Sequence, residues 1–321
     1  MLISYHKMRK GFTVILVAVV ILSIVSFLPV NQKSTIGISA NFDNTLLQVI
    51  HIENWKNWYP GMKEAFQNMP ANCSLEKDTS KKVYTISTPG KKYIIHAITP
   101  MSYQVIEEGD TSKNIFAFTV FPGDAAGSMK IFIEKKTPLL FSIFSRNYAA
   151  EDAINGLKSY LEDPKSFYGF KIEMSEIRDS VIASSVFKIK RKGLFLKIQD
   201  ACKELTQYIK TNSLIKTGHT SISYIPLSDD SLRLTVGIPV NRPGPPEKEI
   251  HCLSLPAKGR VLIGNYEGKF SDRQKIYFAM SKYLTDHTLS VPAESFERYL
   301  NDSIPTSDSS VIRIELNYPV Y

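Results

Sequence analysis

The chain is poor in the residues that usually announce chemistry. Among 321 residues there are 3 cysteines, Cys73, Cys202 and Cys252, and 6 histidines. No C-x-x-C occurs, so spacing spells out neither a disulfide framework nor a zinc site. Cys202 fits the apolar stripe of a helix as a small hydrophobe; a single Cys202–Cys252 bridge within the C-terminal half is the alternative. His51 and His96 stand alone and read as structural. We read no metal site, no cofactor, no helix-turn-helix signature and no nucleophile beside a base.

Charge is scarce where a membrane would exclude it. Lys7, Arg9 and Lys10 precede a run from Phe12 to Val30 that carries none. About 18 to 20 apolar residues suffice to cross a bilayer as a helix. The run is longer than the core of a cleavable signal peptide, and no small-x-small site follows it. Residues 1–33 therefore read as a cytoplasmic basic stub and an uncleaved signal anchor, with residues 12–30 in the bilayer. The basic flank stays cytoplasmic, so the bulk of the chain is expected outside the cytoplasm, in the periplasm if the source is a diderm bacterium.

The net charge of +8 is spread unevenly: +4 in residues 1–33, −1 in 34–163 and +5 in 164–321. Its densest run, Lys188-Ile189-Lys190-Arg191-Lys192, falls where a strand gives way to a helix. It reads as a solvated loop, with anionic headgroups as the alternative contact. No nucleic-acid partner is expected.

What is present is repetition. Ser223 to Val240 reads SYIPLSDDSLRLTVGIPV, and Arg298 to Val320 reads RYLNDSIPTSDSSVIRIELNYPV. Each copy holds a strand with a tyrosine (Tyr224, Tyr299), a polar turn and an alternating strand closing on Pro-Val. Each follows a strand and an amphipathic helix. The first helix carries Leu196, Ile198, Ala201, Cys202, Leu205, Tyr208 and Ile209; the second carries Ile276, Met280, Tyr283, Leu284 and His287, with Ser271 as its expected N-cap. Phe170–Lys190 reads as one bent strand, and Asn241–Glu247 (NRPGPPE) as a linker that is neither helix nor central strand. A βαββ unit made twice forms one sheet with two helices on a face, and the groove between them suits a small molecule.

Upstream, Thr35–Ala40 is a short strand, Asn41 or Asp43 caps a helix, and Trp55 and Trp58 share a helical turn that Pro60 ends. Strand-like runs follow at Val83–Ser87, Tyr93–Ile98, Ser102–Glu107, Ile115–Phe121 and Met129–Lys136, as in an antiparallel meander. A helix from Ala149 to Glu162 closes the region, and residues 164–169 form the linker. This order, with Ile36–Ala40, the Trp55/Trp58-Tyr59-Pro60 turn and Ile154-Asn155-Gly156-Leu157-Lys158, resembles the START-like superfamily (SRPBCC, polyketide cyclase-like) over residues 34–163. The resemblance implies a helix-grip fold with an apolar cavity between the sheet and the last helix. Trp55 and Trp58 read as core or cavity-mouth packing rather than as a stacking platform, and Trp58 is the candidate at that cavity.

Residues 170–321 resemble the GyrI-like effector-binding domain. The resemblance rests on Gly218-His219-Thr220 through Tyr224, Val236-Gly237-Ile238-Pro239-Val240, Gly264-Asn265-Tyr266-Glu267-Gly268, Phe296-Glu297-Arg298-Tyr299-Leu300-Asn301-Asp302 and Tyr318-Pro319-Val320. It implies that Glu297 faces the central groove. A carboxylate among aromatics attracts cationic apolar ligands, so a small hydrophobic or cationic molecule is the expected partner. Simple pairing of Glu297 with a nearby Lys or Arg is the alternative. Tyr224, Tyr266 and Tyr299 either line the groove or pack the core. The second functional reading is a small-molecule hydrolase with Glu297 as general base and Tyr266 or Tyr224 assisting. The fold class expected is α+β, with a transmembrane helix, a helix-grip domain and a duplicated βαββ domain.

Overall fold

The computed structural model describes residues 25–125, 127–139, 148–177, 181–247, 249–255, 258–300 and 304–321, together with Val19 and Ser23. The chain forms two compact units, Met1–Asp163 and Pro164–Tyr321. The fold is α+β, with one antiparallel sheet in each unit.

In the first unit β1 (Pro29–Ile38) is followed by α1 (Phe42–Ile50), α2 (Trp55–Trp58) and α3 (Pro60–Asn68). Strands β2 (Ser74–Asp78), β3 (Val83–Thr88), β4 (Lys91–Thr99), β5 (Ser102–Gly109), β6 (Lys113–Pro122) and β7 (Met129–Pro138) then form a meander that α4 (Tyr148–Glu162) closes. The sheet order is β1-β7-β6-β5-β4-β3-β2. Asn41 caps α1, its side chain accepting from the backbone N–H of Asp43 at 2.8 Å and of Asn44 at 3.5 Å.

Several expectations need correction here. The strand expected at Thr35 starts at Pro29, paired with Pro138, so the last two residues of the predicted span are strand. The rest of residues 12–30 lies mostly outside the described residues, and no described helix is long and apolar enough to cross a membrane. Pro60 ends the Trp55–Trp58 turn as expected, with Tyr59 extended before it, and also opens α3 at its first position, where its missing N–H costs nothing. The edge strand β2 has too polar a sequence, Ser-Leu-Glu-Lys-Asp, to be read by alternation.

The first unit's interior is filled with rings. Trp55 lies 4.9 Å from Trp58 and 5.8 Å from Tyr59 and Phe118, and Tyr103 lies 5.4 Å from Phe118, centroid to centroid. Trp58 is buried, donating from Nε1 to the Gln48 carbonyl at 3.3 Å. Gly156 lets α4 touch this layer, since a Cβ there would lie 2.4 Å from the Trp58 carbonyl oxygen.

The second unit opens with α5 (Pro164–Tyr168) where a linker was expected. Tyr168 donates to Asp286 Oδ2 at 2.8 Å and packs on Tyr283. Copy one comprises β9 (Val181–Lys190), α6 (Leu194–Thr211), β10 (Ser221–Pro226) and β11 (Ser231–Pro239). Copy two comprises β13 (Arg260–Lys269), α7 (Gln274–Asp286), β14 (Phe296–Tyr299) and β15 (Val311–Pro319). In β11, Leu232, Leu234 and Val236 face the core while Ser231, Arg233 and Thr235 are part-exposed, the period-2 pattern of a strand with one buried face. Helix α6 buries Leu194, Ile198, Ala201, Leu205, Tyr208 and Ile209 against it. Each such side chain contributes about 1.5–3 kcal/mol when fully removed from water.

With β8 (Ile172–Glu176) and β12 (Ile250–Ser254) at its edges, the sheet order is β12-β9-β11-β10-β14-β15-β13-β8, a palindrome about the β10–β14 junction. The outermost strands are exchanged. β8 precedes copy one yet pairs with β13 of copy two; β12 precedes copy two yet pairs with β9 of copy one. The single bent strand expected over Phe170–Lys190 is therefore two strands on opposite edges of the sheet.

Candidate functional site

The two copies meet where β10 and β14 pair, with Ser221 opposite Arg298 and Ile222 opposite Glu297. A cavity of about 430 Å³ opens over this midline. Its walls come from the start of α6 (Leu194, Phe195), the sheet (Tyr224, Leu232) and the start of α7 (Arg273, Tyr277). Arg191, Phe270 and Asp308 also line it.

Glu297 lies beneath that cavity with no exposed surface. Arg273 donates from Nε to Glu297 Oε1 at 2.9 Å, and the Tyr277 hydroxyl donates to the same oxygen at 2.8 Å. The Tyr299 hydroxyl donates to Oε2 at 2.6 Å. Because the one proton of Tyr299 is committed to Glu297, the Tyr224 hydroxyl, 2.9 Å away, is the donor to Tyr299. A carboxylate at the foot of four polar groups is how a buried charge is tolerated.

The local folding explains the convergence. Arg273, immediately before α7, and Tyr277, in its first turn, stand four residues apart on one helix face. The expected N-cap at Ser271 is absent because Phe270–Arg273 forms a turn of 3₁₀ helix, which aims Arg273 at the sheet. Its guanidinium lies 3.4 Å over the Phe270 ring and 5.1 Å from the Tyr224 ring. Nη1 donates to the Phe270 carbonyl at 2.9 Å. On β14, Glu297 and Tyr299 share the inward face, as residues two apart in a strand must.

Burial pushes the Glu297 carboxyl above its ordinary value, opposed by the Arg273 charge and the hydrogen bonds from Tyr299 and Tyr277. Burial, with the neighbouring carboxylate, holds the hydroxyls of Tyr277, Tyr224 and Tyr299 well above the usual phenol value. All three phenols are donors at neutral pH.

The structure thus brings together Glu297, Tyr224 and Tyr299 of the residues singled out in the sequence. It separates two others. Tyr266 is buried, donates to the Lys269 carbonyl at 2.6 Å and packs against Phe170, away from the cavity lining. Trp58 belongs to the ring core of the first unit. It adds two that sequence reasoning missed, Arg273 and Tyr277. No local signal marks Arg273, because a cation at a helix start is ordinarily left in water, as Arg191 and Lys192 are before α6. Glu297 is therefore not an open acid for a cationic ligand but one already paired. As a general base it would first have to lose Arg273.

Among the described residues no cluster of three His, Cys, Asp or Glu side chains could hold a metal ion. Cys73, Cys202 and Cys252 are free thiols, and burial pushes Cys202 up to about 11.

No known family profile matches the sequence. No curated protein matches it either. Solved structures do show similarity. The EcmrR C-terminal domain is 18% identical, with 47% of this chain and 98% of that one covered and a TM-score of 0.40. EcmrR in its complex with DNA is 14% identical, over 56% of this chain and 73% of that one, with a TM-score of 0.40. A START superfamily protein from Mycobacterium smegmatis is 12% identical, over 41% and 97%, with a TM-score of 0.30. Similarity at these levels transfers neither ligand nor activity.

Proposed function

We propose that this chain is a small-molecule-binding protein whose site is the cavity over the β10–β14 junction. The carrying observation is the fully buried Glu297 held by Arg273, Tyr277 and Tyr299 directly beneath an aromatic-walled opening. Such a network is costly for a sheet core to maintain, because an apolar residue would pack there without desolvation. A cavity of about 430 Å³ lies within the usual range of ligand pockets, about 300–1,000 Å³. We place the second unit with the GyrI-like effector-binding domains and the first with the helix-grip, START-like domains. The palindromic sheet and the strand, helices, meander and closing helix support this. The first unit's ring-filled interior gives no reason to place a second ligand there. The chain is further read as tethered by the uncharged run that precedes β1, residues 12–28, with its bulk outside the cytoplasm and without nucleic-acid contact; the basic flank before that run supports the tether.

The test is a thermal-shift and native mass-spectrometry screen of the full chain in non-ionic detergent, beside a Leu232→Trp variant that fills the cavity. Ligands should stabilise the wild type and leave Leu232→Trp unmoved. A screen in which nothing binds the wild type, or in which both proteins respond alike, would overturn the assignment.

A further inference from the structure

The expected attraction of this groove for cations meets an obstacle built into the chain. Every component of a cation site is there: a carboxylate, Glu297, and two aromatic rings, Phe270 and Tyr224. A cation is there as well. The Arg273 guanidinium lies 2.9 Å from Glu297 Oε1, 3.4 Å over the Phe270 ring and 5.1 Å from the Tyr224 ring. We infer that Arg273 is an internal cation that occupies the place a cationic ligand would take, and that the groove in consequence selects an apolar aromatic molecule bearing an oxyanion.

The inference rests on the binding role proposed for this cavity and adds its specificity. Three observations carry it. First, Glu297 has no exposed surface, so its charge reaches the cavity only through a partner that already neutralises it. Second, Arg273 itself lines the cavity with its side chain 13% exposed. A guanidinium has five N–H donors. Among the described residues, Nε meets Glu297 and Nη1 meets the Phe270 carbonyl, which leaves Nη2 and the second Nη1 hydrogen for an arriving acceptor. A planar guanidinium edge is the geometry that carboxylates, sulfonates and phosphates bind in bidentate fashion. Third, the rim charges offset one another: Arg191 and Asp308 both line the opening and both are exposed, so water screens them alike and the part-buried Arg273 sets the sign of the interior. Phe195, Leu194 and Leu232 supply the apolar surface for the ligand's ring.

A cationic ligand could reach Glu297 only by expelling Arg273, giving up an ion pair and two ring faces to remake the same contacts. An anionic ligand keeps the pair and uses the donors it leaves spare. Arg273 is in this reading a specificity-determining residue.

The test uses two probes matched in ring and opposite in charge: naphthalene-2-sulfonate and trimethyl(2-naphthyl)ammonium. Each is titrated by calorimetry into the full chain in non-ionic detergent, with the Leu232→Trp signal subtracted. Wild type should bind the sulfonate at least tenfold more tightly than the ammonium. Arg273→Met should reverse that order by uncovering Glu297. Arg273→Met/Glu297→Gln, in which no buried charge is left alone, should fold even if the single variant does not and should lose the sulfonate preference to within threefold. Binding of both probes with a wild-type preference under tenfold, or a sulfonate preference that survives in the double variant, would overturn the inference and leave the binding site standing. No groove-dependent binding of either probe would remove both.

Discussion

Ile222 and Glu297 sit opposite one another on paired strands, at matching places in two copies of one folding unit. Both are fully buried. Tyr224 and Tyr299 match in the same way and touch through their hydroxyls. One copy thus closes the sheet midline with an aliphatic side chain and the other with an acid. The backbone accommodates both, so the acid is not demanded by the fold. The difference comes from what each helix start offers. Copy one places Leu194 and Phe195 at the groove, with Arg191 exposed at its rim; copy two places Arg273 and Tyr277 there, both within reach of Glu297. A symmetric scaffold has been given one polar end, and an oriented ligand site follows from that asymmetry.

The sharpest way to break the comparison is to orphan the acid. Arg273→Met should destabilise the chain by about 3–5 kcal/mol, the usual result of stripping one partner from a buried pair, read by urea denaturation. The same variant gives a pH signature. Because burial raises Glu297, the folded chain keeps its proton to higher pH than the unfolded chain. Its contribution is therefore fully present below the ordinary value of 4.5 and is lost as pH rises through the folded value. Stability of wild type relative to Glu297→Gln should fall as pH climbs from 4.5. In the Arg273→Met background the fall should continue to higher pH and be larger in total, and an unchanged total would mean that Arg273 does not hold the carboxylate.

Making the copies alike is the next test. Arg273→Met/Glu297→Ile, which repeats Ile222 across the midline, should return to within about 2 kcal/mol of wild type, since an apolar pair replaces an ionic one at little net cost. A double-mutant coupling energy of at least about 2 kcal/mol is expected. Tyr299→Phe removes one donor from a buried carboxylate and should cost about 1.5–3 kcal/mol in the same assay. The smallest effect is reserved for the exposed pair of Arg233, on β11, and Glu294, just before β14, with side chains 41% and 50% exposed. Arg233→Ala there should change stability by less than about 1 kcal/mol; a loss as large as that of Arg273→Met would erase the contrast between buried and exposed charge.

Much of the architecture was legible because it is local. The meander strands from Val83 onward, the closing helix, the duplicated strands and the Pro-rich break at Asn241–Glu247 follow from alternation, 3.6-residue stripes and turn residues. Two features were not. Strand β2 carries one apolar residue, Leu75, among four polar ones and gives no alternation to read. The break within Phe170–Lys190 is decided by pairing with β13, whose partners run from Arg260 opposite Glu176 to Gly264 opposite Ile172, about which a local pattern is silent. The site divides in the same manner. Glu297, Tyr224 and Tyr299 were visible as a repeated motif with one acid in it. Arg273 and Tyr277 were not, because their meeting with Glu297 depends on the 3₁₀ turn at Phe270–Arg273 and on which helix face looks down on the midline.

The exchanged outer strands make the second unit indivisible. A cut within Asn241–Glu247 would yield two pieces, each carrying a strand that belongs to its sibling's edge. Neither piece could satisfy its own border hydrogen bonds. Mixed together, they should reassemble as a non-covalent heterodimer, while either one kept by itself should offer two raw margins to any copy it meets and clump.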